Sequence, residues 1–288
     1  MRYDALAGAE FARPNLIYSL LLGMRTKAPV RLTSSKNPLL KEVRRAVSKG
    51  TPTDSGYAVA ESFHLLEEAL RSNREIGCVL VAESVRSAVA QHIEGLRGAR
   101  VYALGDALFR EVASTENSQG VITLVKPPAW TLDELFRGRS MVVILDGIQD
   151  PGNAGTIVRT AEAFGATGCI FVKGTVSPFN PKALRASAGS LFRLPVMAGL
   201  DSDLVRTAVR QRRVDLYATK PKGGKPLAEA DLTRRFALVV GSEGRGVSER
   251  LQGKALDLSI PTTGVESLNV ALASGIILYE ARRQRMPG

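Results

Sequence analysis

The sequence predicts an α/β protein in two parts, a small α/β sandwich followed by a parallel sheet covered by helices on both faces. Three observations carry this. Short apolar runs alternate with segments of helical period along most of the chain. Beyond residue 140 those runs are continuous Val/Ile/Leu stretches, as in strands buried on both faces. Between the parts, Lys126-Pro127-Pro128-Ala129-Trp130 breaks the pattern, because consecutive prolines continue neither a helix nor a central strand. The 288 residues are enough for a real core, and 44% apolar with 23% charged residues is a globular composition.

Residues 1–32 read as a flexible N-terminal extension without clear periodicity, and Met24 is an expected start. Residues 16–24 are apolar but far too short to span a bilayer, and they lack the small-residue cleavage site of a signal peptide. The expected location is cytoplasmic. Asn37-Pro38 opens a helix through Leu39, Leu40, Val43 and Val47 with its bases on other faces. A strand over 57–60, a helix over 62–70, a strand over 76–82, a helix near 85–93 and a strand over 100–103 follow, in a first domain spanning 33–125. After a linker over 126–140, strands are predicted at 141–145, 169–173, 216–219, 236–240 and 256–260 in a second domain, 141–288.

Lys and Arg number 39 against 28 Asp and Glu, a net charge of +11. Such an excess points to a polyanionic partner, nucleic acid being the commonest, with mere solubility as the alternative. The excess lies in a basic opening, residues 25–49, where eight bases, Lys36, Lys41, Arg44 and Arg45 among them, stand against Glu42 alone, and in a basic C-terminal half, around a slightly acidic middle. Cys78 and Cys169 lie in apolar runs and read as buried free thiols of a reducing compartment. His64 and His92 keep no metal-ligand company, which argues against a zinc site, a histidine base and a Ser-His-Asp triad.

Three segments could carry chemistry, each at a strand-to-helix junction. In 145–168, the turn Asp150-Pro151-Gly152-Asn153 opens a helix that carries Arg159; Asn153 suits a helix cap or an anion site, and Arg159 a solvated charge or a functional one. In 236–251, a strand runs into Gly241-Ser242-Glu243-Gly244-Arg245-Gly246, glycines that let backbone approach a ligand closely. The spacing is G-x-x-G-x-G, not the dinucleotide fingerprint G-x-G-x-x-G, so a nicotinamide-dependent dehydrogenase is disfavoured. In 258–285, a helix starts close to Ser267-Leu268-Asn269, where Ser267 and Asn269 also suit plain caps. Residues 270–279 are apolar on nearly every face, which predicts burial against protein, a second subunit included. Arg282, Arg283 and Arg285 suit a helix C-terminus or contact with RNA.

In this order, Asn153 with Arg159, the Gly241–Gly246 loop with Glu243, and Ser267-Leu268-Asn269-Val270 resemble the three motifs of SpoU-class RNA ribose 2′-O-methyltransferases of the SPOUT superfamily. The likeness covers residues 141–285 well. Residues 33–105, together with SSKNPLLKEVRR and STENSQGV, are more loosely similar to the L30e-like substrate-binding domain of many members. Glu61-Ser62 departs from the Glu-Gly common there. The resemblance implies a C-terminal trefoil knot, S-adenosylmethionine held at Thr219, Gly241, Ile260 and Leu268, and a homodimer whose site draws on both subunits. It implies that Arg159 activates the ribose hydroxyl, with Asn153, Glu243, Ser267 and Asn269 fixing the geometry. Because guanidinium stays protonated, two roles are open for Arg159, a phosphate-assisted base or a cation that acidifies and orients the hydroxyl. Lys36, Lys41, Arg44 and Arg45 are the candidate RNA contacts. Ribosomal RNA is the favoured substrate; tRNA and a catalytically silent ribosome-assembly factor are the alternatives.

Overall fold

A computed structural model describes residues 29–93 and 99–286; the extension before residue 29 and Met24 lie outside the described residues. The first sheet contains β1 (Val30–Leu32), β2 (Ala58–Glu61), β3 (Ile76–Ala82), β4 (Arg100–Leu104) and β5 (Val121–Val125), in the order β1-β4-β3-β5-β2. Strands β1, β4 and β3 are parallel, and β5 runs antiparallel to both β3 and β2. Its helices are α1 (Pro38–Lys49), α2 (Phe63–Arg71), α3 (Arg86–Ile93) and α4 (Asp106–Arg110). Helix α1 starts where the sequence says it should: the Asn37 side chain accepts from the Leu39 amide at 2.9 Å, and Pro38 takes the first helical position. Leu40, Val43 and Ala46 are its buried stripe.

Two strands of this sheet fall outside the sequence reading. Val30–Leu32, expected within the extension, pairs with β4; three half-exposed residues carry no periodicity of their own. Strand β5 is buried throughout, so its alternation is masked.

The second sheet is parallel throughout, in the order β10-β12-β9-β11-β6-β7-β8. Its strands are β6 (Met141–Asp146), β7 (Gly168–Val172), β8 (Val196–Leu200), β9 (Asp215–Thr219), β10 (Lys225–Pro226), β11 (Phe236–Gly241) and β12 (Leu256–Ser259). The accompanying helices are α5 (Leu132–Leu135), α6 (Pro151–Ala163), α7 (Pro181–Ser187), α8 (Ser202–Gln211), α9 (Glu249–Gln252) and α10 (Val270–Arg285). One face packs on Ile157 and Val158 of α6 and Ile277 and Leu278 of α10, the other on Val205 and Val209 of α8. Strands β6 and β11, buried along their whole length, lie side by side in register from Met141 against Phe236 to Asp146 against Gly241. From this pair the sheet grows in both directions, the arrangement that opens a crevice at the carboxyl ends of the strands.

Within one chain the burial expected for 270–279 is one-sided. Val270, Ala271, Ser274, Ile277 and Leu278 of α10 are buried, whereas Leu272 and Tyr279 are 55% and 56% exposed. The helix has one covered face and one uncovered apolar face.

Candidate active site

The loop after β6 delivers the start of α6 to the crevice. Asp150 is the cap: one carboxylate oxygen accepts from the Asn153 amide at 2.7 Å, and the other accepts from Lys182 of α7 at 2.9 Å. The Lys182 hydrogen bond, with help from the Asn153 amide, holds the Asp150 carboxyl below its ordinary range. Because Asp150 does the capping, the Asn153 side chain is free to reach outward. Its Nδ2 donates to Glu243 Oε1 at 3.0 Å, and its Oδ1 accepts from Asn269 Nδ2 at 3.1 Å. Asn269 Nδ2 also donates to Glu243 Oε1 at 3.0 Å. The far end of Asn269 caps α10, accepting from the amides of Ala271 and Leu272 at 2.9 and 3.2 Å. Three residues from three junctions thus close a hydrogen-bonded triangle. For Asn153 the cap alternative fails; for Asn269 cap and site coincide.

Beside the triangle is a cavity of about 330 Å³ whose lining includes Thr219, Gly241, Ile260, Leu268, Ser267 and Glu243. All four residues expected to hold a cofactor therefore meet in one place. The segment after β11 folds straight back, with Gly246 donating to the Ser242 carbonyl at 2.8 Å. A Cβ on Gly241 would lie 2.1 Å from the Gly246 carbonyl carbon and 2.2 Å from the Val247 nitrogen, so only glycine permits this return. Asp146, nearly buried, accepts from the Ser248 amide at 2.7 Å and ties the two central loops together. On the rim, Lys220 pairs with Asp257 at 2.7 Å, and that hydrogen bond holds the Asp257 carboxyl low.

Residues 140–279 match the model of the SpoU rRNA Methylase family, and residues 37–123 that of the MRM3-like substrate binding domain. Over 254 residues the chain is 34% identical to the 23S rRNA (guanosine(2553)-2'-O)-methyltransferase RlmP of Bacillus subtilis, covering 88% of this chain and 99% of that relative. The chain belongs to the SpoU methylase family. Two solved structures share its fold at length. The AdoMet-bound rRNA methyltransferase from Sinorhizobium meliloti superposes with a TM-score of 0.77 at 30% identity, covering 89% of this chain and 98% of that one. The SpoU methyltransferase AviRb from Streptomyces viridochromogenes, in complex with AdoMet, gives 0.80 at 28% identity, covering 87% and 98%.

The remaining expected site residues of this SpoU methylase are placed less simply. Ser267 lines the cavity and is exposed. Arg159 is exposed on α6 and has no ion pair or hydrogen bond among the described residues. Six residues beyond Asn153 it points about 240° further round the helix, and its own chain does not bring it into the triangle. The face of α6 next to the triangle carries Thr156 and Thr160 instead, which with Leu272, Ile276 and Tyr279 line a shallow apolar groove. Of the four candidate RNA contacts, Arg44 pairs with Glu111 at 3.1 Å and Arg45 with Asp54, while Lys36 and Lys41 are exposed without an ion pair among the described residues. Arg285 is a structural residue: it donates to the backbone carbonyls of Leu232, Arg139, Ser140 and Arg234, and burial draws its guanidinium down to about 10. Arg283 is paired with Glu280 at 2.7 Å. Among the described residues no group of His, Cys, Asp and Glu could hold a metal ion, and no helix is long and apolar enough to cross a membrane.

Asp150 was legible as the residue before a helix-opening proline. Asp146 and Lys182 had no sequence signal, since their partners Ser248 and Asp150 lie 102 and 32 residues away.

Proposed function

We propose that this protein transfers a methyl group from S-adenosylmethionine to a ribose 2′-hydroxyl of ribosomal RNA. The observation that carries the reading is the Asn153–Glu243–Asn269 triangle at the lip of the glycine-walled cavity. The residues present suit the cofactor: the cavity has small-molecule size, an apolar floor that includes Leu258, Val270 and Ile277, and a loop whose backbone comes close because Gly241 has no side chain. Thr219, Gly241, Ile260 and Leu268 would hold it. The bound cofactor supplies an electrophilic methyl group on a sulfonium. The chain must then orient a ribose hydroxyl and relieve it of its proton, which is mainly positioning and charge management. Asn153, Asn269 and Ser267 offer the amide and hydroxyl groups for that positioning, and Glu243 holds the two amides in place. Arg159 acts as a phosphate-assisted base or as the cation that acidifies and orients the hydroxyl.

The reading includes a homodimer. Leu272 and Tyr279 form an uncovered apolar face next to the triangle, and Arg159 stands clear of its own chain's triangle, as suits a residue completing a site across two subunits. It also includes a trefoil knot in the second domain, whose segments 241–246 and 258–270 wall one cavity, and a cytoplasmic location in keeping with two buried free cysteines. Residues 33–125 are assigned to substrate binding, 126–140 to a linker and 141–288 to catalysis. RNA contact is assigned to Lys36 and Lys41, with Arg44 and Arg45 contributing from within their ion pairs.

The test is transfer of a radiolabelled methyl group to ribosomal RNA and to tRNA, with mapping of 2′-O-methyl positions. Arg159→Ala is expected to abolish transfer nearly completely while calorimetry shows unchanged cofactor affinity. Wild-type turnover by that variant would sink the assignment.

A further inference from the structure

Glu61 closes β2 in the first sheet and is 2% exposed. Its carboxylate accepts from the Ser114 amide at 2.7 Å, from the Ser114 hydroxyl, and from Thr115 Oγ1 at 2.9 Å. Its cationic neighbour comes from the other half of the molecule: Arg185 of α7 lies 3.6 Å away and donates to Ser114 Oγ. One turn on, a Cβ on Gly189 would lie 2.6 Å from the Cβ of Glu68 in α2. Glu68 in turn pairs with Arg193, whose remaining nitrogens grip Glu162 of α6 at 2.7 and 2.9 Å. Ala58 and Val125 of the first sheet and Leu65 of α2 share one apolar cluster with Leu184 and Phe192. The first sheet is therefore docked along residues 184–193.

The opposite side of α7 rests on α6. A Cβ on Gly155 would lie 2.3 Å from the Ala183 carbonyl oxygen, so the two helices touch backbone to backbone. Lys182 reaches across to Asp150, the cap that sets the position of Asn153. A continuous packed path runs from Glu61 through α7 to the first turn of α6.

We propose that Glu61, acting through Arg185, is a positioning residue: it locks the substrate-binding sheet to α7 and so sets where an RNA held by that sheet places its ribose against Asn153. A buried carboxylate is a poor device for stability alone, because its desolvation offsets much of its pairing. What it contributes is direction: Ser114 and Thr115 fix the carboxylate within its own half, and Arg185 meets it and Ser114 in one relative placement of the two halves. The inference rests on the methyltransferase reading and names the residue that orients its substrate.

The experiment compares wild type, Glu61→Gln, Arg185→Lys and the double variant Glu61→Leu/Arg185→Met, which leaves no orphaned charge. Each is assayed on folded ribosomal RNA and on a short oligoribonucleotide too small to reach the first sheet. Glu61→Gln and the double variant should lose at least tenfold in kcat/KM on folded RNA, with cofactor Kd within twofold and unchanged rates on the short RNA. Arg185→Lys, which keeps the positive charge, should lose less than Glu61→Gln. Equal losses on both RNAs, or none on either, would overturn the proposal. Small-angle X-ray scattering separates this from failure of the activity itself: an expanded Glu61→Gln particle supports the lock even without transfer, and a wild-type profile refutes it.

Discussion

Asn269 performs two tasks with the two ends of one amide, and two substitutions can separate them. Its Oδ1 caps α10, and its Nδ2 donates to Asn153 and Glu243. Asn269→Ala removes both. Loss of the cap costs about 1 kcal/mol, and the two exposed hydrogen bonds add at most about 1 kcal/mol more, so unfolding should move down by several degrees. Asn269→Asp keeps an acceptor for the α10 amides, and a negative charge suits that helix end by about 0.5 kcal/mol. It also replaces the donor 3.0 Å from Glu243 Oε1 with an anionic oxygen, a repulsion of about 1.4 kcal/mol in a water-like dielectric. The Asp variant also loses the two donated hydrogen bonds, so it should unfold about 1–2 kcal/mol below wild type with its helix cap intact. On methyl transfer both variants should fall by at least tenfold, because neither can hold Asn153 and Glu243 together. Denaturant melts and radiolabel transfer on the same preparations decide it. Full activity in Asn269→Asp would show that the amide donors are dispensable, and wild-type stability in Asn269→Ala would refute the cap.

Ser62 takes φ 150° and ψ 161°, a region nearly reserved for glycine, while its hydroxyl caps α2. Relief of strain of about 1–3 kcal/mol outweighs the few tenths lost with the cap, so Ser62→Gly should raise the melting temperature by a few degrees without changing transfer; a lower one would contradict the strain. Gly241→Ala should eliminate cofactor binding in a titration, since its methyl group meets the returning backbone of Gly246 and Val247; retained affinity would mean the loop is not part of the pocket. Burial pushes the Cys78 thiol up to about 12 and raises Cys169 as well. Neither should react with iodoacetamide at pH 8 in the native protein, and both should after denaturation, as mass spectrometry would show.

The departure at Glu61-Ser62 shows how sequence and structure divide the information. The sequence marked the place as irregular, and the structure finds there a strained helix cap and the buried carboxylate that joins the two halves. Strand β3 falls at 76–82 as its apolar run says, and α1 and α6 begin at the Asn-Pro and Asp-Pro pairs that announce them. Strands β1 and β10, three and two residues long, had no local signature, because their conformation comes from the neighbouring strand they pair with.

By itself the sequence determined the α/β class, the three motif-bearing junctions and the family, because caps, proline and glycine positions and hydrophobic period act over a few residues. Tertiary structure decided which junctions meet. In a parallel sheet every strand ends at the same edge, but the order β9-β11-β6 determines which ends are neighbours. That order is set by the pairing of Phe236 with Asp215 and with Met141, 21 and 95 residues earlier in the chain. It sets Glu243 and Asn269 against Asn153, leaves Arg159 clear of them, and uncovers Leu272 and Tyr279. Local signals act within a turn or two of the chain and cannot encode contacts that exist only once the sheet has closed around them.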